Sequence, residues 1–231
     1  MLGTIANALA IIAGSVLGLL FSRGIADNYK EIILSGVGLS VVLIGIKNAL
    51  VSNDLMVVIF SLVIGALLGE AMKIETKLQS VGNFLESKIA AKSSDRRSFA
   101  KGFVTASLVF CVGSMAIIGS LESGLTDNHQ TLFAKSVLDG VTSVIFASTM
   151  GLGVMFSSVA VFLYQGLITI TAGFMKNFLV PETIAQMSSV GGLLIMAIGF
   201  NMLNITKIRV GNLLPAIFLP LVYFALRQWF S

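Results

Sequence analysis

Lys135 and Asp139 stand four residues apart inside an apolar stretch, with Ser143 one turn further on, so on a helix all three share one face. An ammonium and a carboxylate at that spacing neutralise one another and project in one direction. Each charge submerged in hydrocarbon costs about 3 kcal/mol on insertion scales, so an apolar chain keeps such a pair only if it is matched and turned inward. The chemistry this suits is exchange of an ion, a proton or a polar solute, with Asp139 as the exchanged charge. A structural ion pair near the outer interface, with Lys135 snorkelling, would use the same residues. Ser114 and Glu122 belong to the same polar-rich region, residues 113 to 140, and are further candidates to line a pathway. Gln165 falls mid-stretch beside Tyr164 and Gly166, where an amide either binds a solute or bridges helices. Asn212 opens the last stretch just before Pro215, and a proline there frees a backbone carbonyl, giving either a packed kink or a broken helix that offers backbone groups to a site.

The elements that must hold these residues are helices in a bilayer. With 56% hydrophobic and 11% charged residues, the 231-residue chain has too little polar surface to cover a soluble globule. Eight apolar stretches, at about residues 4–22, 32–51, 55–72, 103–121, 132–150, 154–174, 186–204 and 210–227, approach the ~20 residues a spanning helix needs. Apart from Arg227 at the very end of the last, they carry four charged side chains, Lys47, Glu70, Lys135 and Asp139. A membrane barrel would alternate apolar and polar residues, whereas the run 56–68 is apolar on every side, so the fold class is an all-α polytopic helix bundle.

Eleven of the fifteen Lys and Arg residues fall between stretches in positions that an eight-span path puts on one side. By the positive-inside rule that side is cytoplasmic, with both chain ends outside. Residues 1–72 then hold spans one to three, 73–101 a cytoplasmic connector and 102–231 spans four to eight. The connector holds seven basic residues against Glu75, Glu86 and Asp95, and its Ile74, Leu78, Val81, Leu85 and Ile89 recur at helical spacing. It reads as an amphipathic helix on anionic lipid, or as a solvated link between two halves. The opening apolar run has no basic residue before it, so it reads as a first span and not as a secretory signal.

Internal symmetry would suit a carrier built from inverted repeats. Val37 and Gly38 are followed by Asn48 and Leu50 at the intervals that separate Val190 and Gly191 from Asn201 and Leu203, which would relate spans one to three to spans six to eight. Small residues four apart, Gly14 with Gly18 and Gly65 with Gly69, favour close helix approach and leave room for homo-oligomer contact. The lone Cys111 and the lone His129 suggest neither a metal nor a nucleophile site, and no HExxH, GxSxG, P-loop or CxxC pattern occurs. An enzyme is not expected, nor a cofactor beyond a coupling Na⁺ or H⁺. The basic charge follows topology and gives no reason to expect nucleic acid.

The segments GTIANALAIIAGSVLG (Gly3 to Gly18), CVGSMAIIGSLESGL (Cys111 to Leu125), KSVLDG (Lys135 to Gly140), YQG (Tyr164 to Gly166) and VGNLLPA (Val210 to Ala216) together resemble the bacterial YqgA/YdfK-like membrane proteins, a family of unknown function, over essentially the whole chain. The resemblance implies a bacterial inner-membrane protein of transporter-like character and carries no site residue with it. The physical reading of the residues adds a secondary transporter of a small solute or ion, with Asp139, Lys135, Glu122, Ser114, Ser143, Gln165 and Asn212 at or near the pathway. A passive channel and a non-transporting structural subunit are the other two readings.

Overall fold

The computed structural model describes residues 1–22, 27–77, 80, 96–175 and 179–230. Its helices are α1 (Leu2–Ser22), α2 (Asp27–Ala49), α3 (Leu55–Met72), α4 (Arg96–Cys111), α5 (Ser114–Leu125), α6 (Gln130–Met150), α7 (Gly153–Met175), α8 (Pro181–Met202), a 3-10 segment (Val210–Phe218) and α9 (Leu219–Phe230). No strand occurs among the described residues. The expected all-α membrane bundle is therefore what forms. Seven helical segments are long and apolar enough to cross a bilayer, and α4 with α5 makes an eighth if the bent pair is one crossing. The amphipathic reading of the connector, apart from its first turn at 74–77, lies outside the described residues.

Local chemistry sets the boundaries. Asp54 caps α3 by accepting the Val57 amide at 3.3 Å, and Lys73 ends that helix in the left-handed region at φ 51°. Pro181 opens α8, where its missing amide hydrogen costs nothing and its fixed φ suits the first turn. Two expectations change. The stretch 103–121, read as one continuous helix, breaks at Val112–Gly113 and bends by 61° between α4 and α5. Gly113 takes φ +123°, a value that side chains resist, and this is the physical reason the break falls there. The last stretch begins not as an α-helix but as nine residues of 3-10 winding around Pro215.

Helix α1 runs parallel to α6, α4 and α5 run parallel to α7, α2 runs antiparallel to α8, and α3 runs antiparallel to the 3-10 segment. These directions are the ones an eight-span path demands. Helix α8 is the most enclosed, with buried residues on all its faces, while α2 and α3 present long rows of leucine, isoleucine and valine outward as a lipid-facing surface would. In lipid the pairs are held by close packing, and the glycines are where backbones meet. A methyl added at Gly14 would run into the Gly140 carbonyl and the Ser143 hydroxyl, and one at Gly69 into the Asn212 carbonyl. Gly45 and Gly192 face each other across α2 and α8.

Gly14→Val and Gly69→Val are expected to lower stability by roughly 1–3 kcal/mol each, the usual cost of overpacking. Thermal unfolding in detergent checks this, with Gly36→Ala as the contrast, since a methyl there meets nothing within 4 Å and should not lower the midpoint.

Candidate functional site

The polar core lies where α1, α6 and α7 meet. Asp139 is the tenth residue of α6, about 14 Å along the helix from Gln130, and Gln165 is likewise central in α7, so both sit near mid-membrane. Lys135 and Asp139 are each only 6% exposed, and Asn7 and Gln165 are fully enclosed at 0%. The Lys135 ammonium lies 2.9 Å from Oδ2 and 3.0 Å from Oδ1 of Asp139, so it spans the carboxylate. The Asn7 Nδ2 amide, one and a half turns into α1, donates to the same Oδ2 at 3.0 Å and more weakly to Gln165 Oε1 at 3.4 Å. The carboxylate fixes the orientation of that amide, since turning it over would set oxygen against oxygen.

The cluster is charge-balanced, and its hydrogen bonding is incomplete. Asn7 Oδ1 and Gln165 Nε2 are buried with no partner among the described residues. So are the hydroxyls of Thr4, a turn before Asn7, and Thr169, a turn after Gln165. Each such atom costs about 1–3 kcal/mol unless something polar meets it. An enclosed set of free acceptors and donors beside an ion pair is an arrangement able to receive a small polar guest or an ion, the Asp139 oxygens supplying the charge.

The remaining candidates lie elsewhere. The Ser143 hydroxyl turns back to the Gly140 carbonyl at 2.7 Å and is wedged against Gly14, where it packs α1 on α6. Glu122 accepts the Thr131 hydroxyl at 2.7 Å, which ties the end of α5 to the first turn of α6, one turn from Lys135. Beside it Ser123 and the His129 Nδ1 are 2.9 Å apart. Ser114 opens α5, and its side chain lies outside the described residues. Asn212 belongs to a second network at the connector end of α3. Its Nδ2 donates to Glu70 Oε2 at 2.7 Å and its Oδ1 accepts the Glu75 amide at 2.7 Å. Arg209 pairs with Glu70 at 2.9 Å, and the Gly211 amide donates to Glu75 Oε2 at 2.7 Å. The structure thus brings Lys135, Asp139 and Gln165 together and leaves Glu122 and Asn212 to the two ends of the bundle. Among the described residues, no group of three or more His, Cys, Asp or Glu side chains is placed to hold a metal.

Residues 2–225 match the family model described as "Protein of unknown function (DUF554)". The chain belongs to the DUF554 family. It is 36% identical over 225 residues to the "Uncharacterized membrane protein YdfK" of Bacillus subtilis (strain 168), covering 95% of this chain and 94% of that protein. It is 30% identical over 236 residues to the "Uncharacterized protein YqgA" of Escherichia coli (strain K12), covering the whole of both. No solved structure matches it.

In this DUF554 chain the cluster residue that the sequence does not single out is Asn7. Its signal was present in the spacing of Thr4, Asn7, Ile11 and Ser15, which fall on one face of α1 and are all buried. What the spacing does not reveal is that this face meets Asp139.

A buried pair missing one member is worse than no pair at all, because the survivor keeps its charge without a partner. Lys135→Met alone should therefore cost about 3–5 kcal/mol, while Lys135→Met combined with Asp139→Leu should recover much of that loss. Denaturation midpoints of the two single variants, the double variant and the parent check this by a mutant cycle.

Proposed function

We propose that this protein is a secondary transporter of a small solute or ion, working by alternating access around the Asp139 cluster. The carrying observation is the enclosed ion pair of Lys135 and Asp139, set at mid-membrane beside partnerless amide and hydroxyl atoms. A purely structural pair gains by saturating its surroundings. In the proposed cycle a proton or Na⁺ reaching the Asp139 carboxylate competes with the Lys135 ammonium, and the released ammonium, with Asn7 and Gln165, becomes open to a different polar partner. Nothing beyond that coupling ion is required as a cofactor, and no covalent chemistry is assigned.

The helix arrangement supports the carrier reading. α1 packs on α7, α2 on α8 and α3 on the 3-10 segment, each pair antiparallel, and the parallel pairing of α1 with α6 is matched by that of α7 with α4 and α5. A two-fold axis in the membrane plane would exchange these partners, which is the inverted repeat suggested by the Val-Gly and Asn spacings. Enclosure of the cluster favours an occluded carrier over a standing pore. The distribution of Lys and Arg, together with bacterial relatives, supports a bacterial inner membrane with residues 73–101 in the cytoplasm against anionic lipid.

The test uses the full chain in proteoliposomes on a solid-supported membrane, challenged with pH jumps and with Na⁺ jumps. A saturating transient current is expected from the parent, reduced roughly tenfold or more in Asp139→Asn when the two are compared below the unfolding temperature of the less stable variant. A steady ohmic conductance would favour a channel, and no current with either jump would leave the transporter reading without its coupling ion.

A further inference from the structure

We propose that the adjoining ends of α2, α3 and α8 form a second binding site, separate from the Asp139 cluster, for a small organic cation that also carries a hydrogen-bond acceptor. A cavity of about 630 Å³ opens there, lined by Ser52, Asn53 and Asp54 of the α2–α3 turn and by Glu182 and Gln186 of α8. It lies at the end of α3 opposite the Lys73 to Lys101 connector. Among the described residues two carboxylates and no basic side chain line it, so its own charge calls for a cation.

Gln186 points to an occupant. The residue is 1% exposed, and neither its Oε1 nor its Nε2 has a partner among the described residues. Glu182 and Gln186 are four apart on α8 and so share a face, with the carboxylate exposed and the amide deep. A bare metal ion suits this set poorly, because an amide N–H repels a cation and the donors form no metal-holding group among the described residues. An ammonium or guanidinium satisfies the carboxylates and the Oε1 acceptor, and an acceptor oxygen on the same molecule satisfies Nε2.

The walls are already fixed. The Ser52 amide donates to the Ser189 hydroxyl at 2.8 Å, the Asp54 amide donates to the Ser52 hydroxyl at 3.1 Å, and Asp54 Oδ1 is held by the Val57 amide. The turn is thereby pinned to α8, and the movement a ligand requires is confined to the Gln186 side chain, whose enclosed amide must turn toward the cavity to meet it.

Argininamide, which joins a guanidinium and an amine to an amide carbonyl, is a suitable probe. Equilibrium dialysis of the radiolabelled compound against the full chain in nanodiscs, at constant ionic strength, should give saturable binding. Gln186→Leu is expected to weaken it about tenfold, as loss of hydrogen bonds to a charged ligand. Glu182→Gln, at the exposed rim, should weaken it about two- to fivefold and leave the fold intact. Asp139→Asn should bind argininamide as the parent does, which separates this site from the proposed transport site. Unsaturable uptake by the parent, or saturable binding that neither Gln186→Leu nor Glu182→Gln alters, would overturn the proposal. Ca²⁺ binding that depends on Glu182 and Gln186 in a protein that ignores argininamide would overturn it as well.

Discussion

Burial of one ammonium and one carboxylate sets the terms for the helices around them. Neither charge is tolerable alone at that depth, and the carboxylate that the ammonium spans takes a further donor from another helix, the Asn7 amide on Oδ2. Helices α1 and α6 must then lie close enough for a short amide side chain to reach. The glycines make this possible, because Gly14 and Gly18 of α1 sit against the backbone of α6 at residues 140 and 144, two and three turns from Asn7. Polar contact and close packing are thus two features of one interface.

The bundle has two groups of helices built on this principle. One gathers α1, α4, α5, α6 and α7 around the ion pair, and the other gathers α2, α3, the 3-10 segment and α9 around the enclosed α8. They meet in part at the α4–α5 break, where Val112 packs on Gly191 and Gly113 faces the Asn48 amide. The second group has a polar network at the connector end, where Glu70, Arg209, Asn212 and the first turn after α3 are tied together. Relative movement of the groups would leave the bonds within each intact and would change the contacts at the break.

The helices themselves were legible because lipid demands long uninterrupted apolar runs, and α3 falls at residues 55–72 as its hydropathy requires. The pairing of Lys135 with Asp139 was legible because both lie on one helix, where spacing decides contact. Asn7 and Gln165 were harder, since their meeting depends on how three separate helices pack, and one chain's periodicity says which face is polar without saying what it faces. Asn212 was read toward the pathway because of Pro215. The proline does disrupt the α-helix, but the asparagine is spent on Glu70 and the Glu75 amide. Gln186 stands at the first position of the stretch read as 186–204, and nothing in its spacing says that the amide is enclosed, since the helix begins five residues earlier at Pro181.

The tighter winding of Val210–Phe218 also governs reach. Nine residues in 3-10 form extend about 18 Å, against about 13.5 Å in α form. The final crossing therefore stands taller than its residue count suggests. Rewinding that segment would shorten it by close to one helical turn, about 4.5 Å. Because Asn212 and Gly211 are fastened to Glu70 and Glu75, such a contraction would pull on the root of the basic connector, making the segment a length gauge between the membrane interior and its rim.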